Sequence, residues 1–517
     1  MPLAPKKMKL FLAPINSTVG DLAGNVQLCA DAIFAGKAAG ADLIILPEMA
    51  IPGYPPRDIL YDRSFVEAIQ AAAHDLATRV IGCPPALVGS LTPNGDPTPE
   101  HPNLLNVALL IHNGKVKVAA EKQLLPVYDV FYEPRWFVPG KQLPPLEIAS
   151  KKVGVLICED MWDENYGVHP AENLKAAGAD LLVCLAASPW RKGMAANRLT
   201  QVQRPGVPMA LVNLLGGNDE LIFDGQCLAV NGDGVVIGRS GLLEGGPVLV
   251  DMTGSTVAEK LGDPIKTLFD ALVLGIKDFA RKNQVASITL GLSGGIDSAV
   301  AAVIAARSIG LANVTAIAIP SRFSDLRSTE TAAELAKNLG VGFELVELEP
   351  LHSTAESSLK EWFGTGTVAE NVQARLRGMI LMAHVNKTGG MLLNTSNKTE
   401  LALGYGTLYG DMAGAVSPLG DVTKPEVYAL AKWINENMGE PIPEFIITRP
   451  PSAELAARQV DPFDYEKISP QIESVILNGG THPQLQRSEH KRWQMGVVLK
   501  VAQRSFGSGR MVPITRK

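Results

Sequence analysis

Cys158 closes the apolar run VGVLI and is followed at once by Glu159 and Asp160. A thiol delivered to the end of a buried strand and turned into a loop is well placed to act as a nucleophile, whereas Cys29, Cys83, Cys184 and Cys227 read as core filler. Glu48 ends the run ADLIILP in the same manner, and Lys122 lies in KVKVAAEKQLLP. A carboxylate, an ammonium and a thiol can together cleave an amide. Glu48 would take the thiol proton and return it to departing ammonia, while Lys122 would stabilise the tetrahedral oxyanion. Glu133 is a second carboxylate suited to orienting the lysine.

A second chemistry is written into Gly291-Leu292-Ser293-Gly294-Gly295-Ile296-Asp297-Ser298, between the strand-like ASITLGL and a helix-like DSAVAAVIAARSIG. Paired glycines let a backbone approach an anion closely, and the amides and positive dipole end of the following helix point at it. The loop matches neither GxxxxGK[ST] nor GxGxxG, which disfavours γ-phosphoryl transfer and dinucleotide redox binding.

The elements that must position these groups follow from periodicity. Up to about residue 250, short β-rich runs (KLFLAPIN, ADLIILPE, ALVGSL, LLNVALLIHNGK, KKVGVLICED, ADLLVCLAAS) alternate with amphipathic helices over NVQLCADAIFAGKAAG and from Ser64. Asn113-Gly114 and Asn231-Gly232-Asp233-Gly234 predict hairpin turns, the second closing the first domain. DMTGSTVAEKLGDP then breaks the pattern. The expected domains are 1–252 and 265–517, joined by a linker at 253–264. In the second, TLFDALVLGIKDFARKN precedes a strand, helix, strand, helix, strand order, which predicts a doubly wound parallel sheet with its ligand crevice at the carboxyl ends of the strands. The chain is thus α/β in both halves.

SGGIDS resembles the loop of the ATP-pyrophosphatases, enzymes of the adenine nucleotide alpha hydrolase-like fold that cut ATP between the α and β phosphates. The resemblance implies adenylation: a carboxylate attacks the α-phosphate, pyrophosphate leaves, and a nitrogen nucleophile displaces AMP. Residues 291–298 would hold ATP, and Asp297 would hold Mg²⁺. Further on, NVQARLRG from Asn371, NTSNKTELALGYGTLYGD from Asn394 to Asp411, and SEHKR from Ser488 resemble the signature segments of NAD synthetases. That likeness implies that Thr395 contacts ATP, that Asn371, Glu400 and Lys491 contact deamido-NAD, and that Glu400 and Asp411 are further acidic candidates for the metal. Each of these residues alone reads equally well as a solvated helix face or a cap; the ordered set carries the reading.

The Glu, Lys, Cys order, with LPEMAIPGYPPRD, EKQLLPVYDVFYEPRWFVPG and VLICEDMW, resembles the glutaminase members of the nitrilase-type carbon–nitrogen hydrolases. The implied fold is a four-layer α-β-β-α sandwich. Tyr128 and Ser188 would hold glutamine, with Tyr54, Glu133 and Glu159 as neighbours. The family carries a basic residue six positions after the serine, where this chain has Met194, with Lys192 or Arg198 as stand-ins. The stretch after Gln459 is also abbreviated, to VDPFDYEKISP.

Composition agrees with small-molecule chemistry. A net charge of −6 over 517 residues, without a basic run, argues against a nucleic-acid or membrane-surface protein. Five cysteines without CxxC spacing suggest neither a disulfide framework nor a zinc site and fit a reducing cytoplasm. No apolar run approaches the roughly 18 residues needed to span a bilayer. The expectation is a cytoplasmic homo-oligomer that uses glutamine, ATP and deamido-NAD. Two alternatives stay open: another amidotransferase with the same ATP loop, acting on a nucleobase or an amino acid, or an amide hydrolase regulated by a nucleotide-binding module. Guanylate-forming synthetases share only the ATP loop, since their glutaminase uses a Cys, His, Glu triad.

Overall fold

The computed structural model describes residues 8–257 and 262–508, which divide into two compact units. The expected linker includes residues 258–261, which lie outside the described residues, as do the first seven of the chain. Asp263 already caps the first helix of the second unit, accepting from the Ile265 amide at 2.9 Å.

The first unit is built on two six-stranded sheets. One runs in the order Val248–Asp251, Lys9–Leu12, Leu43–Ile45, Ala86–Pro93, Leu104–His112, Lys115–Glu121. The other runs Val236–Arg239, Cys227–Val230, Met209–Asn213, Leu181–Ala186, Lys151–Ile157, Leu146–Ile148. Both have parallel centres and antiparallel flanks. Leu10, Leu12, Leu43, Ile45 and Leu87 of the first sheet share one buried core with Val153, Val155, Leu182 and Leu211 of the second. Helices Leu22–Ala38 and Arg63–Arg79 pack on the first sheet, and Pro170–Ala176 and Met194–Gln203 on the second, which completes an α-β-β-α sandwich.

The Asn113-Gly114 turn has positive φ at both residues (49° and 73°), the conformation that a two-residue hairpin joining right-twisted strands demands. The hairpin at Asn231–Gly234 does not close the unit. A further strand, Val248–Asp251, returns to pair antiparallel with Lys9–Leu12, so the segment's two ends meet in one sheet.

In the second unit the strands Gly342–Leu345, Val314–Ala318, Ile288–Gly291 and Met391–Leu392 form a four-stranded parallel sheet in that order. The chain winds outward from Ile288–Gly291 in one direction and then crosses to its other side, so the sheet changes winding direction beside that strand. Helix Ile296–Ile309 is alanine-rich and almost wholly buried, because helices Pro264–Lys282 and Lys424–Met438 pack against it. The glycine loop 291–295 lies at the carboxyl end of that central strand.

Candidate active sites

In the first unit, Lys122 follows the last residue of strand Lys115–Glu121, and its amide extends the ladder to Asn106 O at 2.8 Å. Its side chain is fully buried, and Nζ donates to Glu48 Oε1 and to both oxygens of Glu133, each at 2.8 Å. Burial alone would pull the ammonium's pKa down, but Glu133 and Glu48 outweigh it and hold the pKa well above its ordinary value. Glu48 also accepts from Asn106 Nδ2 at 2.6 Å and from the Ala187 amide at 2.9 Å, so its carboxylate is fixed from three sides. Burial pushes the Glu133 carboxyl up to about 7 despite Lys122, and Tyr54 Oη donates to it at 3.0 Å.

Cys158 is buried, with φ at 45°, at the start of a short 3-10 turn. A left-handed non-glycine residue at a strand end is a strained corner of the kind that functional sites retain. Burial and the neighbouring Glu48 push its thiol up, while Lys122 pulls it down, so the resting group is a neutral thiol within electrostatic reach of a base and a cation. The Asp160 carboxylate fixes this corner against the lysine's segment. It accepts from the Gln123, Leu124 and Ile157 amides at 2.9, 3.0 and 3.1 Å.

Glu159 accepts from Tyr128 Oη at 2.9 Å and Tyr166 Oη at 2.9 Å, and burial raises its pKa. Ser188 is set by Asn213, which accepts from its amide and donates to its carbonyl, each at 2.8 Å. Arg198 is fully buried. Its donors go to Ser188 Oγ and O, Pro189 O, Asp224 and Gln226. Arg198 therefore braces Ser188 and has no donor left for an anion, which removes it as a stand-in for Met194. Asn106 and Tyr166 carry no motif of their own, and sequence reasoning passed over them; Asp160 was seen only as a neighbour of the thiol.

In the second unit a cavity of about 270 Å³ is lined by the loop residues Gly291, Ser293, Gly295 and Asp297, together with Thr395, Glu400 and Asp411. Gly294 has φ +75°, and a Cβ there would lie 2.3 Å from Ser328 O, so only glycine fits the turn. Ser298 Oγ donates to Gly295 O at 3.0 Å and accepts from the Ser293 amide at 3.3 Å, which ties the loop to the helix it opens. Lys424, also missed from the sequence, lines the same cavity and donates to Asp297 Oδ2 at 2.5 Å and Glu400 Oε1 at 3.0 Å. Burial pushes the Glu400 carboxyl up to about 7 against the pull of Lys424.

Asn371 accepts from Thr407 Oγ1 at 2.7 Å, and Asp411 Oδ1 accepts from the Thr407 amide at 2.6 Å. Lys491 Nζ donates to Gly404 O and Gly406 O at 2.7 and 2.6 Å, outside the cavity lining. The structure thus gathers Asp297, Thr395, Glu400 and Asp411 around one cavity and sets Asn371 and Lys491 on the segment that follows Glu400. Among the described residues no group of three or more His, Cys, Asp or Glu is arranged to hold a metal ion. Magnesium, however, keeps several waters and takes only one or two carboxylates beside substrate phosphates, a donor set that Asp297 and Glu400 can supply.

Residues 12–260 match the family model for carbon-nitrogen hydrolases, and residues 268–504 match that for NAD synthases. The glutamine-dependent NAD(+) synthetase of Synechocystis sp. is 38% identical, with 98% of each chain covered. That of Rhodobacter capsulatus is 36% identical, with 99% of each covered. The structure of glutamine-dependent NAD(+) synthetase from Acinetobacter baumannii in complex with ADP superposes with a TM-score of 0.80 at 30% identity, covering 98% of both chains. Identity of this degree across both halves, not one alone, means that the chain belongs to the family of glutamine-dependent NAD(+) synthetases.

Proposed function

We propose that the first unit releases ammonia from glutamine and that the second uses it to amidate deamido-NAD, consuming ATP and releasing AMP, pyrophosphate, glutamate and NAD. Lys122 clamped between Glu48 and Glu133, in electrostatic reach of Cys158, carries the first half of this reading. As the thiol attacks the glutamine amide carbon, Glu48 takes its proton and passes it to the leaving ammonia; water then cleaves the thioester to glutamate. Lys122 stays charged throughout and faces the oxyanion, while Glu133 holds its direction. Glu159, presented by Tyr128 and Tyr166, suits the substrate's ammonium.

In the second unit the deamido-NAD carboxylate attacks the α-phosphate of ATP held on the glycine loop, and ammonia displaces AMP from the resulting adenylate. Lys424, held between two carboxylates at the wall of the cavity, is placed to answer the charge of the polyphosphate. Mg²⁺ held by Asp297 and Glu400 would neutralise charge on the departing pyrophosphate. We place the division of labour at the 253–264 segment, and the working form in the cytoplasm as a homo-oligomer. Unpaired thiols support the compartment, and the exposed Trp362 and Trp493 support association. Among the described residues no helix is long and apolar enough to cross a membrane. An assay with glutamine, ATP and deamido-NAD, each omitted in turn, tests the whole. AMP release that does not depend on deamido-NAD would refute it.

A further inference from the structure

The carboxylate of Glu48 does not offer its two oxygens alike. Oε1 accepts from Lys122 Nζ at 2.8 Å and from Asn106 Nδ2 at 2.6 Å, which fills both of its lone pairs. Among the described residues Oε2 accepts only from the Ala187 amide, at 2.9 Å, so one lone pair stays open. The two oxygens also face different sheets. Asn106 lies in strand Leu104–His112 and Lys122 follows strand Lys115–Glu121, both of the first sheet. Ala187 follows strand Leu181–Ala186 of the second sheet, and the parallel neighbour of that strand, Lys151–Ile157, leads straight into Cys158. The register pairs Ile157 with Leu185, so Ala187 and Cys158 leave the second sheet side by side. Oε2 is therefore the oxygen on the thiol's side.

Asn106 is a costly residue for its place. It is 1% exposed and pairs with Leu91 across the ladder. Its amide can face Glu48 only through nitrogen, because an oxygen there would stand 2.6 Å from a carboxylate oxygen. Oδ1 is consequently left buried, with no hydrogen-bond partner among the described residues. Orphaned buried acceptors are destabilising and rare, and an apolar side chain would avoid this one. What the asparagine supplies in return is a single donor that is neither acid nor base. Its main-chain carbonyl accepts from the Lys122 amide at 2.8 Å, which ties together the two residues that fill Oε1.

We propose that Asn106 is a positioning residue: by filling Oε1 together with Lys122, it reserves Oε2 as the oxygen that exchanges the proton. The proton passes from Sγ of Cys158 to Oε2 as sulfur adds to the amide carbon, and from Oε2 to the amide nitrogen as the carbon–nitrogen bond breaks and ammonia leaves. Oε1 takes no part in either transfer. The inference rests on the glutaminase reading of the first unit.

The test follows glutamine hydrolysis by the full chain and by Asn106→Leu and Asn106→Asp from about pH 6 to about pH 9, with thermal unfolding of each. Asn106→Leu removes the donor at every pH. Its kcat should fall roughly 10- to 100-fold, the worth of a hydrogen bond to a charged group, while the Michaelis constant for glutamine stays within about twofold, since Asn106 touches no substrate. In Asn106→Asp the new carboxyl can donate to Oε1 only while it holds a proton, so kcat relative to the unaltered chain should fall about tenfold or more as pH rises across that range. Lys122, Glu133, Tyr54, Cys158 and Glu159 also sense the charge on Glu48, but they are common to all three chains and leave that ratio flat. A residue that only held the strand in place would lower both variants by a factor independent of pH. A ratio for Asn106→Asp that does not change with pH, or an unaltered kcat in Asn106→Leu, overturns the proposal while the glutaminase reading stands. If Asn106→Leu unfolds early, Asn106→Asp decides alone. If the unaltered chain hydrolyses no glutamine at any pH, the glutaminase reading fails and the proposal with it.

Discussion

Replacing Lys424 by Met removes the only positive charge described between Asp297 and Glu400, and its consequences can be worked out from the cavity. The ammonium's side chain is 3% exposed and each carboxylate 15%, so the pair is largely shielded from water. Breaking a buried ion pair from one side costs about 3–5 kcal/mol. Part of this is recovered, because Glu400, already raised to about 7, can take a proton and become neutral. What remains is of the order of one hydrogen bond to a charged group, about 1.5–3 kcal/mol.

The pH dependence has a definite sign. A carboxyl whose folded pKa lies above its unfolded value contributes stability that is fully present below the ordinary carboxylate range and is lost as pH rises through the folded pKa. Without Lys424 that folded pKa moves further up, so the variant's deficit should be small near pH 6 and larger near pH 8.5. Thermal unfolding at the two pH values reads this directly. For a unit of this size each kcal/mol shifts the transition by roughly 2–4 °C. Amide synthesis should fall about 10²- to 10³-fold with either nitrogen source, the usual loss of one preorganised charge at a transition state, and glutamine hydrolysis should persist. A variant that unfolds alike at both pH values, or that makes NAD from ammonia at the unaltered rate, would refute the reasoning.

Other outcomes follow from the first unit. Glutamine hydrolysis should decline as pH falls through about 7, because protonating Glu133 frees Lys122 from its bidentate hold, and Glu133→Gln should be slow at every pH with that inflection gone; a variant profile that keeps the inflection contradicts it. A Cβ at Gly89 would sit 2.3 Å from Pro47 O and 2.5 Å from Glu48 Cα, so Gly89→Ala should displace the base and cost about 10²-fold in glutamine hydrolysis, with ammonia-dependent synthesis as the unaffected control. Unchanged glutamine kinetics would show that Glu48 need not be held so closely.

What was legible in the sequence was whatever announces itself locally. Cys158 directly follows its apolar strand, Asn113-Gly114 is the preferred pair for a turn with two positive φ values, and the paired glycines of 294–295 sit between a strand and a helix; Glu48 follows its apolar run too, but the strand stops at Ile45 and the carboxylate sits in the turn beyond it. The parallel sheet of the second unit followed from alternation of strand and helix, whereas the four layers of the first came from family likeness alone. What was not legible depends on contacts between distant residues. Lys424 reads as an ordinary helix start, with Thr423 and Glu426 forming a capping box, and its partner Asp297 is 127 residues away. Asn106 lies inside a strand whose alternation says nothing of the carboxylate it meets. Asp160 could be seen to follow the thiol, but not that it pins the lysine's segment through backbone amides. Strand Val248–Asp251 is short and follows Gly-Gly-Pro, and the sequence pattern stopped at the hairpin before it; only its return to Lys9–Leu12 makes it part of the sheet. Arg198 looked available because a charge in the sequence does not reveal its partner, Asp224.

The central claim is that one thiol is needed for glutamine and none for ammonia, and Cys158→Ala tests it most directly. Both nitrogen sources should be measured on one purified variant, with thermal unfolding alongside. Removing a small buried side chain costs on the order of 1 kcal/mol, so the fold should survive. Glutamine hydrolysis and glutamine-dependent synthesis should fall to background, while synthesis from ammonium salts continues with AMP and pyrophosphate formed in step. Retention of glutamine-dependent synthesis, or equal modest loss of both activities, would contradict the account.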